Sequence, residues 1–216
     1  MTLSERIAAF RAADLYVVIT EDFCAGRSSL EVLDACLAAG VRLVQLREKH
    51  LEDRALHELA LLWRERCNAA GALFIVDDRV DIALAVGADG VHLGQSDLPF
   101  AAARAIAPEL LLGISTHNLE EALEAQSAGA SYINIGPIFP TGTKDVPTGH
   151  VGPAMIGSIR PHLTIPFSCM GGIKEHNLDQ VLAQGASIAA VVTAVTAAED
   201  VEGAATALRE KILAGG

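Results

Sequence analysis

Aromatic residues make up only 4% of the 216-residue chain. A core of any size must therefore be built from Ala, Val, Leu and Ile, which suits close packing of small helices on a sheet. Cysteine is scarce too. Cys24, Cys36, Cys67 and Cys169 stand far apart with no CxxC spacing, which argues against a zinc or redox motif and for free thiols in a reducing cytoplasm. No apolar run approaches the ~20 residues of a membrane helix. No basic amino-terminal segment leads into an apolar stretch, so no signal peptide is expected. Positive charge is in short supply, with 16 Lys and Arg against 27 Asp and Glu and a net charge of −11. That balance disfavours nucleic acid and anionic membranes as partners. It leaves room for a small phosphorylated ligand if basic residues gather locally. Nothing in the chain supports a Ser-His-Asp arrangement, and a homo-oligomer is compatible with everything above.

What is present is alternation. Short β-branched runs at 14–20, 41–48, 72–78, 90–95, 110–116, 131–138, 165–171 and 187–193 are separated by Ala- and Leu-rich segments. Most of the runs are continuously apolar, the mark of strands buried on both faces in a parallel sheet. The intervening segments carry helix signals: "SSLEVLDACLAAG" opens on serine caps and closes on Gly40, a long segment ends at Gly71, and Asn118 opens another. Eight strands and about eight helices in strict alternation predict an α/β fold, a (β/α)8 TIM barrel, as a single domain over 1–216. A doubly wound open sheet is the runner-up, but "VITEDFCAG" after the first strand lacks its Gly-rich fingerprint. A weak repeat of Gly, turn and strand reads as ordinary loop chemistry.

Chemistry in a barrel gathers at the carboxyl ends of the strands. The second strand delivers Gln45, Arg47, Glu48 and Lys49, the third Asp77, Asp78 and Arg79, the fourth Gln95, Ser96 and Asp97, and the fifth Ser115, Thr116 and His117. Arg47 and Lys49, two apart, share a side of their strand with Gln45. This row of donors suits an anion or the heteroatoms of a flat ring; equally, Arg47 could pair with a carboxylate at the rim. Asp78 and Asp97 end neighbouring strands. They would suit magnesium, which takes one or two carboxylates and completes its shell with water and phosphate oxygens. Alternatively each caps a helix or pairs with Arg79. His92, inside a strand, is expected to pack in the core.

The stretch "GPIFPTGTKDVPTGHVG", 136–152, is too rich in Gly and Pro for helix or strand. Loops of this length are usually functional or disordered. Its "TGTK" offers two hydroxyls, backbone N–H groups and an ammonium, a suitable phosphate cradle. Gly171-Gly172 and Val192-Thr193 are expected to precede helices, whose amino termini favour an anion.

The motifs "VQLREK", "DDRVDIALAVGADGVHLGQSDLP", "GISTHNLEEA", "IGPIFPTGTK" and "GGI", in this order over about 15–196, resemble thiamine-phosphate synthase. The resemblance implies a (β/α)8 barrel that joins a hydroxymethylpyrimidine diphosphate to a thiazole phosphate, releasing pyrophosphate in thiamine biosynthesis. It implies pyrimidine-diphosphate contacts at Gln45, Leu46, Arg47, Glu48 and Lys49, with Asp77 at the pyrimidine. It implies magnesium ligands at Asp78 and Asp97, and the family's serine at Ser115. Thiazole-phosphate contacts fall on Thr141, Gly142, Thr143, Gly172, Val192 and Thr193, and the lysine that meets the diphosphate on Lys144. Arg47, Lys49, Ser115 and Lys144 would carry the catalysis.

Three positions depart from the family's pattern. Asp77 stands where Asn is usual; it accepts hydrogen bonds only, and it adds a third carboxylate beside the metal pair. Cys169-Met170 replaces a small residue and Ile, which reads as alternative packing. Thr193 replaces a frequent Ser and keeps the hydroxyl. Two rival readings are a thiazole tautomerase-like barrel, against which "QLREK", Asp78, Asp97 and "TGTK" speak, and a non-catalytic barrel that binds phosphate ligands.

Overall fold

The computed structural model describes residues 1–143 and 149–215. The strands are β1 (Leu15–Ile19), β2 (Leu43–Leu46), β3 (Leu73–Asp77), β4 (Gly90–Leu93), β5 (Leu111–Thr116), β6 (Tyr132–Ile135), β7 (Phe167–Met170) and β8 (Ala189–Val191). Each pairs in parallel with the next, and β8 returns to β1, closing a barrel. The predicted (β/α)8 architecture is therefore the observed one. The strands are shorter than the apolar runs, which continue into the connecting turns.

The helices are α1 (Leu3–Arg11), α2 (Ser29–Ala38), α3 (Asp53–Ala70), α4 (Val80–Val86), α5 (Phe100–Ile106), α6 (Leu119–Ser127), α7 (Ala154–Ile159), α8 (Leu178–Leu182) and α9 (Val201–Gly215). Local sequence sets their ends. Ser28 and Glu31 form a reciprocal capping box on α2, Asn118 accepts from Glu121 N at 2.9 Å on α6, and Gly71 ends α3 in the left-handed region. None of the helices among the described residues is long and apolar enough to cross a membrane.

The strand period of two sorts side chains into two cores. Outward residues such as Val17, Val44, Phe74, Val91, Leu112 and Cys169 pack under the helices. Inward residues such as Tyr16, Leu43, Ile75, Leu111 and Tyr132 fill the barrel. α1 precedes the alternating pattern and was not anticipated. It closes the amino-terminal end of the barrel: its buried Phe10 stacks on Tyr132 at 4.1 Å between centroids and meets Tyr16 edge-on at 6.2 Å. Gly113 makes this plug fit, since a methyl group there would fall into the Tyr132 ring.

All four cysteines are buried and unbridged. Burial pushes the Cys24 thiol up to about 11 and those of Cys36 and Cys67 to about 12, and raises Cys169 further still. These thiols are packing groups, not nucleophiles.

Candidate active site

At the carboxyl end of the barrel, the residues after β2 and β3 form a charged cluster. Arg47 extends the ladder beyond β2, its N–H donating to Ile19 O at 2.9 Å. That register aims its guanidinium at Asp77, with Nε 3.5 Å from Oδ2. Lys49 Nζ lies 2.8 Å from Asp77 Oδ2 and also meets Asp78 Oδ2. Burial pulls the Lys49 ammonium down, but Asp77 and Asp78 outweigh it and the group is held above its ordinary value.

Asp78 has φ 57, a left-handed conformation that Asp tolerates better than most residues. The conformation is pinned by its N–H donating to His92 O at 2.9 Å. Asp97 folds back to accept from Gly94 N at 2.6 Å. The two carboxyls meet: burial first, then the charge of Asp77 and the contact with Asp97, push Asp78 up to about 6. Among the described residues no cluster of three or more His, Cys, Asp or Glu forms a closed metal cage. A partly buried pair of carboxylates instead fits an ion that draws its remaining ligands from water and substrate, as magnesium does. Arg79 is not part of this group; it turns outward to Asp53 and Asp81 at 2.6 and 2.7 Å.

Beside the cluster a cleft of about 90 Å3 enters the barrel between Gln45, Arg47, Asp77, His92, Ser115 and Met170. Gln45 is 2% exposed, and its Nε2 has no hydrogen-bond partner among the described residues. A buried amide N–H left unmet is costly unless a ligand completes it. His92 lies in the core, as expected from its place in a strand. It is no apolar filler, however: Nε2 lies 2.9 Å from Ser115 Oγ and Nδ1 lies 3.1 Å from Tyr132 Oη. Tyr132 continues to Tyr16 at 3.2 Å. A polar ladder thus runs from the barrel plug to the hydroxyl at the mouth.

Across the rim, the loops after β6, β7 and β8 enclose a larger cavity of about 630 Å3. Its wall contains Thr141, Gly142, Thr143, Gly172, Val192 and Thr193, all anticipated from the sequence, together with Lys174 and Asn177, which were not. The two cavities share Phe23, Thr143, Met170 and Val192 in their walls. Thr141 and Thr143 hold each other by their hydroxyls at 3.0 Å. Asn177 stabilises the loop after β7, accepting from Lys174 N at 2.8 Å and donating to Gly172 O at 3.0 Å.

Several expected placements need correction. Leu46 is 1% exposed and faces the outer core, so its side chain cannot reach a ligand in the barrel mouth. Glu48 accepts from Glu21 N at 2.8 Å and so fixes the turn after β1; burial raises its pKa. Neither Gly172 nor Thr193 leads directly into a helix: α8 starts at Leu178 and α9 at Val201, with turns between. Cys169 and Met170 have opposite fates, Cys169 lying in the outer core and Met170 in the walls of both cavities. Lys144 lies outside the described residues. Phe23 was also missed; it reaches both cavities from the turn after β1.

Comparison with known proteins adds to this geometry. The family model described as "Thiamine monophosphate synthase" matches residues 15–195. A thiamine-phosphate synthase of Chloroflexus aurantiacus is 47% identical over 195 residues, covering 90% of each chain. One from Shouchella clausii is 44% identical over 195 residues, covering 90% of this chain and 93% of the relative. A solved thiamine phosphate pyrophosphorylase from Pyrococcus furiosus superposes with a TM-score of 0.88 at 37% identity, over 95% of this chain and 98% of that one.

Proposed function

The chain belongs to the thiamine monophosphate synthase family, and on that premise we propose how its own residues perform the family's reaction. The activity is that of a thiamine-phosphate synthase, a transferase of thiamine biosynthesis that joins a pyrimidine diphosphate to a thiazole phosphate and releases pyrophosphate. The observation that carries our assignment of roles is the meeting of Arg47, Lys49, Asp77, Asp78 and Asp97 at one rim, next to a cleft with an unmet Gln45 amide.

In our reading the pyrimidine enters the cleft, where Gln45 and Ser115 meet ring nitrogen and amino groups. His92 orients the Ser115 hydroxyl. The diphosphate lies over Arg47 and Lys49, with Lys144 as a further cation. Asp78 and Asp97 would hold magnesium, which when bound offsets charge on the diphosphate oxygens. The bond between the methylene carbon and the diphosphate oxygen breaks, and its electron pair leaves with pyrophosphate. The thiazole nitrogen then donates its lone pair to the same carbon, forming the C–N bond of a thiazolium. No proton is abstracted, so no general base is required, and the His92–Ser115 contact serves to orient the hydroxyl rather than to activate it as a nucleophile. The chain's task is to hold two rings in line and to stabilise departing charge. Thr141, Gly142, Thr143, Gly172, Val192 and Thr193 receive the thiazole phosphate. The chain acts as one barrel domain, and its four buried, unbridged thiols support a reducing cytoplasmic setting.

The test is pyrophosphate release with both substrates, with and without magnesium. Release that requires both substrates and falls on chelation supports the reading. Binding of both without release would favour a non-catalytic phosphate-binding barrel.

Asp77 gives a sharper expectation. It holds both Arg47 and Lys49 in ion pairs, so it competes with the diphosphate for them. Asp77→Asn removes that competing charge and gains an amide able to donate to the pyrimidine. Turnover is expected to be equal or up to several-fold higher, a gain of about 1 kcal/mol at most in the barrier, measured as kcat/KM for the pyrimidine diphosphate. Complete loss would mean that the pyrimidine is read by the carboxylate itself.

A further inference from the structure

We propose that Lys174 is the residue that carries the charge of the thiazole phosphate in this chain, a role that rests on the reading above and adds a residue that neither the sequence motifs nor that reading assigned. The large cavity has no carboxylate among its described wall residues, and Lys174 is its only ammonium or guanidinium there. Lys174 forms no ion pair among the described residues. Its Nζ instead donates to Thr193 Oγ1 at 2.6 Å, across the mouth between the loops after β7 and β8. A lysine that donates to a neutral hydroxyl while half-buried has its charge uncompensated, and burial pulls its pKa down accordingly.

The surroundings are arranged for an anion. The N–H groups of Gly172 and Thr193 donate to no carbonyl among the described residues, and both residues belong to the cavity wall. The Lys174 backbone is fixed by Asn177, which bonds Lys174 N and Gly172 O together. The ammonium, the Thr193 hydroxyl and the open N–H groups therefore stand on a braced frame before any ligand arrives. An anion drawn to this point relieves the buried charge and satisfies the donors at once. In a chain with net charge −11, such a local positive site decides whether a phosphorylated thiazole is preferred to its free alcohol.

The experiment compares the native chain with Lys174→Thr and Lys174→Arg. KM for the thiazole phosphate, at saturating pyrimidine diphosphate, should rise about 10-fold or more in Lys174→Thr, the scale of a lost charge-assisted hydrogen bond. KM for the pyrimidine diphosphate should not move, and Lys174→Arg should recover part of the loss. With the unphosphorylated thiazole alcohol as acceptor, native and Lys174→Thr chains should behave alike. Calorimetric titration with thiazole phosphate alone gives a readout independent of turnover, and its Kd should rise in step. An unchanged KM and Kd for the phosphate, or an equal loss with the alcohol, overturns the proposal. A native chain that binds the thiazole phosphate but never releases pyrophosphate would sink the catalytic reading, while the titration still decides the role of Lys174.

Discussion

Asp97→Ala removes one of the two carboxylates that meet at the rim, and pyrophosphate release is expected to fall by at least about 10^2-fold, the scale of losing a principal electrostatic group at a reacting centre. The physical reason lies in how the pair is built. Asp78 is held left-handed at φ 57 by the bond from its N–H to His92 O, and Asp97 is held by the Gly94 N–H. Asp78 directly follows β3 and Asp97 sits in the turn after β4, both partly buried, where like charges raise each other's proton affinity unless a cation intervenes. On the proposed assignment, loss of one carboxylate would leave a single protein ligand for magnesium. The alanine also loses the bond to Gly94 N, at a cost of about 1 kcal/mol in stability. Asp97→Asn separates the two effects, because its carbonyl oxygen can still accept from Gly94 N while its charge is gone. We expect Asn to restore the thermal midpoint but not the turnover. Direct magnesium titration with the pyrimidine diphosphate present should weaken in both variants. Native kinetics in both would remove Asp97 from the metal site.

The barrel was legible in the sequence because every strand is buried on both faces, so each reads as an apolar run between Gly-terminated helical segments. Gln45 and Arg47 were legible as sharing one side of their strand because of its period of two, and both line the cleft in the barrel mouth. The same period places Leu46 outside the barrel; a contiguous motif does not distinguish a residue that lines a cavity from one that only supports it. Glu48 shows a related limit, since its partner is the backbone of a turn 27 residues away. His92 looked like core because it is core, at 7% exposure. Its tie to Ser115 depends on the stagger of β4 against β5, which no local pattern reveals. α1 carries only a short stripe, Leu3, Ile7 and Phe10, of which Phe10 alone is fully buried, and it stands outside the strand–helix alternation from which the other elements are read. Lys174 left a faint signal, a cation two residues after a glycine pair. Its meaning depends on Thr193, which only barrel closure brings alongside.

Gly172→Ala is expected to lower kcat/KM for the thiazole phosphate by about 10^2-fold, because it moves one wall of the larger cavity without touching the rim carboxylates. Gly172 has φ 62, and a methyl group there would stand 2.8 Å from Phe139 Cβ and 3.0 Å from Phe139 C, and would fall onto the Pro140 carbonyl oxygen. Backbone atoms cannot swing away as the tip of a long side chain can. The segment after β6 is moreover tied to β7, with Ile138 N donating to Met170 O at 2.8 Å and Phe139 N donating to Gly171 O at 2.9 Å. Relief must come from displacing the chain that carries Thr141 and Thr143, and misplacement by about 1 Å at a positioning loop can cost 10^2-fold in rate. The barrel ladder is untouched, so the variant should fold, with about 1 kcal/mol lost to the left-handed backbone and about 1–3 kcal/mol to the clash. Gly129→Ala is the control, since Gly129 has φ 86 with open space around it, at the turn after α6. It should show the backbone cost in its thermal midpoint and native kinetics. If Gly172→Ala lost only stability as Gly129→Ala does, and kept its kcat/KM for the thiazole phosphate, the loop from Thr141 to Thr143 would have no part in binding that substrate.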